Sequence, residues 1–110
     1  MRPIQFIKFH DNTDVVGVSE GITLNTASTM NIQVVNPNSA TFNCSIEGTI
    51  DGTEWSNLGL VVNLNDGSVI KTSGISNTDI YQCDLTGLSF IRVRINSTTS
   101  PISVVGLFVD

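Results

Sequence analysis

The chain predicts an all-β fold, a single antiparallel β-sandwich of the jelly-roll or immunoglobulin-like type. Three observations carry this. Apolar residues fall on alternate positions in several short windows, as in Met30-Asn31-Ile32-Gln33-Val34, which is the period of a half-buried strand. Asp, Asn and Gly turn pairs separate those windows at spacings of about 8–12 residues. No window keeps the i, i+3, i+4, i+7 apolar pattern of an amphipathic helix. Residues 1–110 then hold about eight to ten short strands in one sandwich domain.

The elements follow in chain order. Ile4 to Phe9 is apolar on both parities, and Asp11-Asn12 breaks it. Val15 to Val18 and Ile22 to Leu24 are short candidates on either side of Glu20-Gly21. Met30, Ile32 and Val34 alternate cleanly up to Asn36-Pro37-Asn38-Ser39, a cluster of turn formers. Phe42, Cys44, Ile46 and Ile50 alternate up to Asp51-Gly52, and a second strand, Trp55 to Asn63, follows at once. Alternation on both sides of Asp-Gly is a strong hairpin signal. In that second strand Leu58, Leu60 and Val62 share one parity. Asn63-Leu64-Asn65-Asp66-Gly67 predicts another hairpin, leading to Val69-Ile70-Lys71-Thr72 and a stop at Ser73-Gly74. Tyr81, Cys83 and Leu85 alternate before the Thr86-Gly87 turn. Phe90 to Ile95 places Ile91, Val93 and Ile95 on one face and Phe90, Arg92 and Arg94 on the other. Ile102 to Val109 is apolar on both faces, the mark of a central or covered strand.

Composition narrows the function. The chain has five Lys+Arg against ten Asp+Glu, a formal net charge of -5, which argues against a surface that tracks nucleic-acid phosphates. Arg92 and Arg94 are the nearest thing to a basic cluster and read as a solvated strand face. No run approaches the ~20 apolar residues that span a bilayer. Met1 to Phe9 has no long apolar stretch with a small-residue cleavage site, so no secretory signal is expected. Charged residues are 14% of the chain, below the ~25% usual in soluble domains. Ser, Thr and Asn supply the polarity instead. A surface of that kind tolerates repeated packing against other subunits, because few charges must be desolvated.

Chemistry-bearing residues are sparse. His10, the only histidine, sits beside Asp11 in a polar segment expected to be a surface turn. No nucleophile, base and orienting group form a recognisable set around it. One His and two Cys are too few for a zinc site, and Asp51, Glu54 and Asp66 lack EF-hand spacing, so no metal, cofactor or catalytic residue is expected. Asn43-Cys44-Ser45 and Asn96-Ser97-Thr98 match the glycosylation acceptor pattern, as an Asn/Ser/Thr-rich chain does by chance. Cys44 and Cys83 both fall on the apolar parity of their strands. Buried thiols are the leading reading, and a disulfide between facing sheets is the alternative. With Trp55 and Tyr81, this pair resembles the Cys, Trp and Tyr-x-Cys marks of the immunoglobulin fold. The short interval from Trp55 to Cys83 and the hairpin just before Trp55 weigh against that assignment. Asp51, Gly52, Trp55, Cys44, Cys83 and Tyr81 are therefore expected to be structural anchors. Asp51-Gly52 sets the turn, and Trp55 folds over the sheet end against the core.

The pattern Gly48-x-x-Asp51-Gly52-x-x-Trp55-x-x-Leu58 resembles a hairpin found in small β-sandwich virion proteins of tailed bacteriophages. The segment Asp84 to Ile95, a Thr-Gly turn leading into Arg92-Val93-Arg94, resembles the part that follows it in such chains. The resemblance runs from about Thr41 to Val109. It implies a non-enzymatic structural protein of decoration, head–tail or tail type. Its partners would be other copies of itself and other virion proteins, and it would be assembled in the host bacterial cytoplasm and located in the virion. The same motif occurs in carbohydrate-binding and adhesive sandwiches, so a glycan- or receptor-binding module is the alternative.

Overall fold

The computed structural model describes residues 3–24, 27–70 and 73–109. It is an antiparallel β-sandwich with no helix among those residues. The described strands, in chain order, are β1 (Pro3–Thr13), β2 (Gly17–Val18), β3 (Ile22–Thr23), β4 (Thr29–Val35), β5 (Phe42–Thr49), β6 (Ser56–Asn57), β7 (Val61–Asn63), β8 (Val69–Ile70), β9 (Tyr81–Asp84), β10 (Phe90–Thr98) and β11 (Ile102–Val109). Sheet A has the order β1-β11-β4-β9-β7-β8. Sheet B has the order β2-β10-β5-β6, with β3 also paired to β10.

Strict alternation decides which residues fill the space between the sheets. Met30, Ile32 and Val34 of β4, Val104 and Phe108 of β11, and Tyr81 and Cys83 of β9 point in from sheet A. Ile91, Val93 and Ile95 of β10 and Phe42, Cys44 and Ile46 of β5 meet them from sheet B. The Phe9 and Phe108 rings meet edge to face, centroids 6.3 Å apart. Gly106 faces the same layer. A Cβ there would lie 2.8 Å from the Phe9 ring and 3.1 Å from the Met30 sulfur, so only glycine lets both side chains close over the strand.

Several segments differ from the sequence reading, each for a physical reason. Trp55 to Asn63 is not one strand. Its first part, β6, pairs with β5 in sheet B, and its second, β7, pairs with β9 in sheet A. The chain changes sheets over Leu58-Gly59-Leu60, which resets the phase. Val61 is buried, while Leu60 is 75% exposed. Asp11-Asn12 does not end the first strand either. β1 runs through to Thr13 by absorbing irregularities in register after Lys8 and His10, with Asn12 at φ 48°. His10 therefore lies in a strand rather than a turn. Its Nε2 is 2.9 Å from the Val93 carbonyl of the opposite sheet, so Nε2 carries a proton and donates. Val15 and Val16 stay exposed outside any strand. β11 is interior to sheet A, between β1 and β4, but its outward residues Val105 and Leu107 are only half-buried. Lys71 and Thr72 lie outside the described residues.

The two hairpin signals correspond to two pairings, and each carboxylate has a defined task. Asp51 Oδ1 accepts from the amides of Thr53 and Glu54, both at 2.9 Å, while Gly52 takes φ 85°. Those amides hold the Asp51 pKa down at about 2. The connection to β6 spans residues 50–55, so it is longer than a two-residue turn. Between β7 and β8, Asp66 accepts from the Ser68 amide and hydroxyl, and Gly67 takes φ 77°. Thr86-Gly87, by contrast, leads from sheet A into sheet B.

Truncating the largest fully buried side chain of this layer tests the packing. Phe108→Ala is expected to lower the unfolding free energy by about 3–5 kcal/mol, measured by chemical denaturation.

Candidate interaction surfaces

The two outward faces of the sandwich differ sharply. On sheet B, the register pairs Arg92 of β10 with Glu47 of β5 and Arg94 with Ser45. Odd positions of β10 enter the core, so both arginines project outward beside Glu47. Arg92 Nε lies 2.6 Å from Glu47 Oε1, and Arg94 Nε lies 2.9 Å from Oε2. The Glu47 side chain is 9% exposed, against 20% for Arg92 and 41% for Arg94. Burial alone would raise the Glu47 pKa. The hydrogen bonds and charges of Arg94 and Arg92 outweigh it and hold the group below its ordinary 4.5.

Trp55 joins this cluster. It was expected in the core, and the structure places it outside, half-buried and absent from the apolar layer between the sheets. The Arg92 guanidinium sits over the indole, 4.0 Å from the ring centroid. A Cβ on Gly21 would lie 3.2 Å from the indole edge, so that glycine gives the ring its room. The physical reason is position in the turn. Six residues separate β5 from β6, which brings Trp55 back beside the outer face of β5 and β10 rather than beneath the sheet. Nearby, Asn96 Nδ2 donates to Asn43 Oδ1 and Ser45 Oγ, each at 2.7 Å, extending a polar face along β5 and β10. Arg92 and Arg94 are therefore not the simply solvated strand face that their spacing predicts, and Glu47 carries no signal of its own in the sequence. Glu47 lies on the polar parity of its strand, and pairing that strand with Arg-x-Arg would have found it.

The outer face of sheet A carries Asn31, Gln33 and Gln82, with an apolar patch beside them on β1 and β11. Phe6, Ile80, Val105 and Leu107, with Asn31 and Gln33, line an open groove of about 240 Å³. Phe6 is 62% exposed and lies opposite Leu107 in the register.

The remaining sequence-selected residues are internal. Cys44 in sheet B and Cys83 in sheet A are buried free thiols, and burial raises both to a pKa of about 12. Tyr81 is buried, and its hydroxyl donates to Asn77 Oδ1 at 2.9 Å. A cysteine on each sheet and a Tyr ahead of the second one echo the immunoglobulin marks, yet the thiols are unbonded and the Trp is outside the core. Among the described residues no group of three His, Cys, Asp or Glu is placed to hold a metal, and no helix is long and apolar enough to cross a membrane.

By sequence, the chain matches no protein family and no curated protein. By structure, it is similar to the SPBc2 prophage-derived protein YomS, with a TM-score of 0.82 and 18% identity, over 100% of this chain and 96% of that one. It is also similar to the PBSX exported protein XepA, with a TM-score of 0.80 and 19% identity, over 96% of this chain and 37% of XepA. At these identities the likeness establishes a shared fold.

Two outcomes follow from the outer face of sheet B. Glu47→Gln leaves two guanidinium groups without their anion and is expected to cost on the order of 2 kcal/mol at pH 7. Because the folded-state pKa of Glu47 is lowered, its stabilisation is complete above the ordinary value of 4.5 and is lost as pH falls through the folded value. Denaturation curves at a series of pH values should therefore show a smaller acid-induced loss in Glu47→Gln than in the parent. Trp55→Ala is expected to cost about 1 kcal/mol rather than the ~3 kcal/mol of a core aromatic. Urea titration distinguishes the two.

Proposed function

We propose that this chain is a non-enzymatic structural protein of a tailed bacteriophage particle. It packs as a homo-oligomer and against other virion proteins, on the capsid or at the head–tail or tail assembly. The observation that carries this reading is the match of the whole chain to the fold of a prophage-derived protein of nearly the same extent. The hairpin and Arg-x-Arg resemblance to small virion proteins supports it independently. So does the chemistry of the surface. Charged residues are few, and Phe6, Ile80, Val105 and Leu107 leave an apolar groove on sheet A suited to contact with another subunit.

A glycan- or receptor-binding module is the second reading. One observation favours it: Trp55, half-buried and outside the core, is nearer to what a ligand could reach than a core anchor would be.

Light scattering on the purified chain tests the first reading. A stable oligomer is expected, and Phe6→Glu should shift it toward the monomer by placing a charge in the groove. A strict monomer that also fails to bind purified phage particles overturns the proposal. A glycan array with one strong hit that depends on Trp55 would favour the second reading.

A further inference from the structure

We propose that Arg92 and Arg94 form an oxyanion-binding site on the outer face of sheet B, for a phosphate or carboxylate group presented by a small ligand or a saccharide. Each guanidinium uses only its Nε to hold Glu47, and among the described residues the terminal nitrogens of both donate to nothing. One carboxylate is shared by two guanidinium groups, so within ion-pair distance the arginines are only half neutralised, in a chain of net charge -5. No second carboxylate among the described residues comes within ion-pair distance of either arginine.

The site is also built rather than merely charged. Glu47 is almost fully buried and takes one Nε on each of its oxygens, which orients both planar forks. The indole of Trp55 lies against Arg92 and further restricts it. Arginines held in this way lose less side-chain entropy on binding than free surface arginines. Their remaining N–H groups match the paired oxygens of a phosphate or carboxylate. The inference does not rest on the oligomeric reading, since it uses the face opposite the apolar groove.

Trp55 is the only tryptophan and touches Arg92, so its fluorescence reports directly on the site. The wild-type chain is titrated separately with inorganic phosphate, glycerol phosphate and glucuronate, with sodium chloride at matched ionic strength as control. A saturable change with at least one of them, weakened at least tenfold in Arg94→Gln, is expected, and the compound that produces it separates free phosphate, phosphate ester and sugar carboxylate. No saturable change, a change reproduced by sodium chloride, or one unaltered in Arg94→Gln overturns the site. A second measurement needs no variant. In NMR spectra of the wild-type chain, the Nε–Hε signals of Arg92 and Arg94 should move with the same titrant and stay in place with sodium chloride. Unmoved signals overturn the site whatever becomes of the variant.

Discussion

The antiparallel pairing of β5 with β10 sets both the interior and one surface of this protein. In its register Val93 lies opposite Ile46 and Ile95 opposite Cys44, and all four side chains enter the core. The same register places Arg92 opposite Glu47 on the other face. Strand side chains alternate strictly, so a slip by one residue would turn the apolar set to water and bury the arginines. The apolar layer and the Glu47 ion pairs thus select the same alignment. Agreement of that kind between separate interactions gives a sequence one native structure. β10 also takes up the chain before it. Between its pairings with β2 and β3, Ser19 meets Val93 through both its amide and its hydroxyl, continuing the ladder where regular strand stops.

The architecture was legible in the sequence wherever alternation was clean. Met30-Ile32-Val34, Tyr81-Cys83-Leu85 and Ile91-Val93-Ile95 all face the core as their spacing predicts. It was less legible where the chain changes sheets. Nothing in Trp55 to Asn63 marks the crossing at Gly59, because apolar residues continue through it and only the partner strand changes. The extension of β1 past Asp11 was hidden for a related reason. An irregular register lets polar residues sit in a strand that local preference would end. Of the candidate surface, Arg92 and Arg94 were visible and Glu47 was not, since its role depends on a partner 45 residues away. Trp55 shows the limit of reading an aromatic as a core anchor. Its place was decided by the length of the connection before it and by a guanidinium from another strand.

The two outer faces divide the chemistry of the protein between them. Sheet A presents an apolar patch of Phe6, Ile80, Val105 and Leu107 bordered by the uncharged amides of Asn31 and Gln33, so its burial against a neighbour would desolvate no charge there. Sheet B presents oriented guanidinium groups, amides and hydroxyls, a surface that suits directional contacts with polar groups. A sandwich that carries both can be fixed in an assembly through one face while the other remains open to solvent.

The position of β11 has a consequence for how the chain reaches this state. β1 and β4 do not pair with each other, and β11 fills the gap between them. During synthesis β1 emerges first among the described strands and its partner emerges last. Until then β1 has no ladder and β4 has one open edge, both available to the wrong neighbour. Closure of sheet A is therefore a late, long-range event that joins opposite ends of the described chain. Such pairings are entropically slow to form. β11 acts as a latch, and a chain that has not yet paired it holds an unfinished sheet with open edges, the kind of surface through which folding intermediates misassemble.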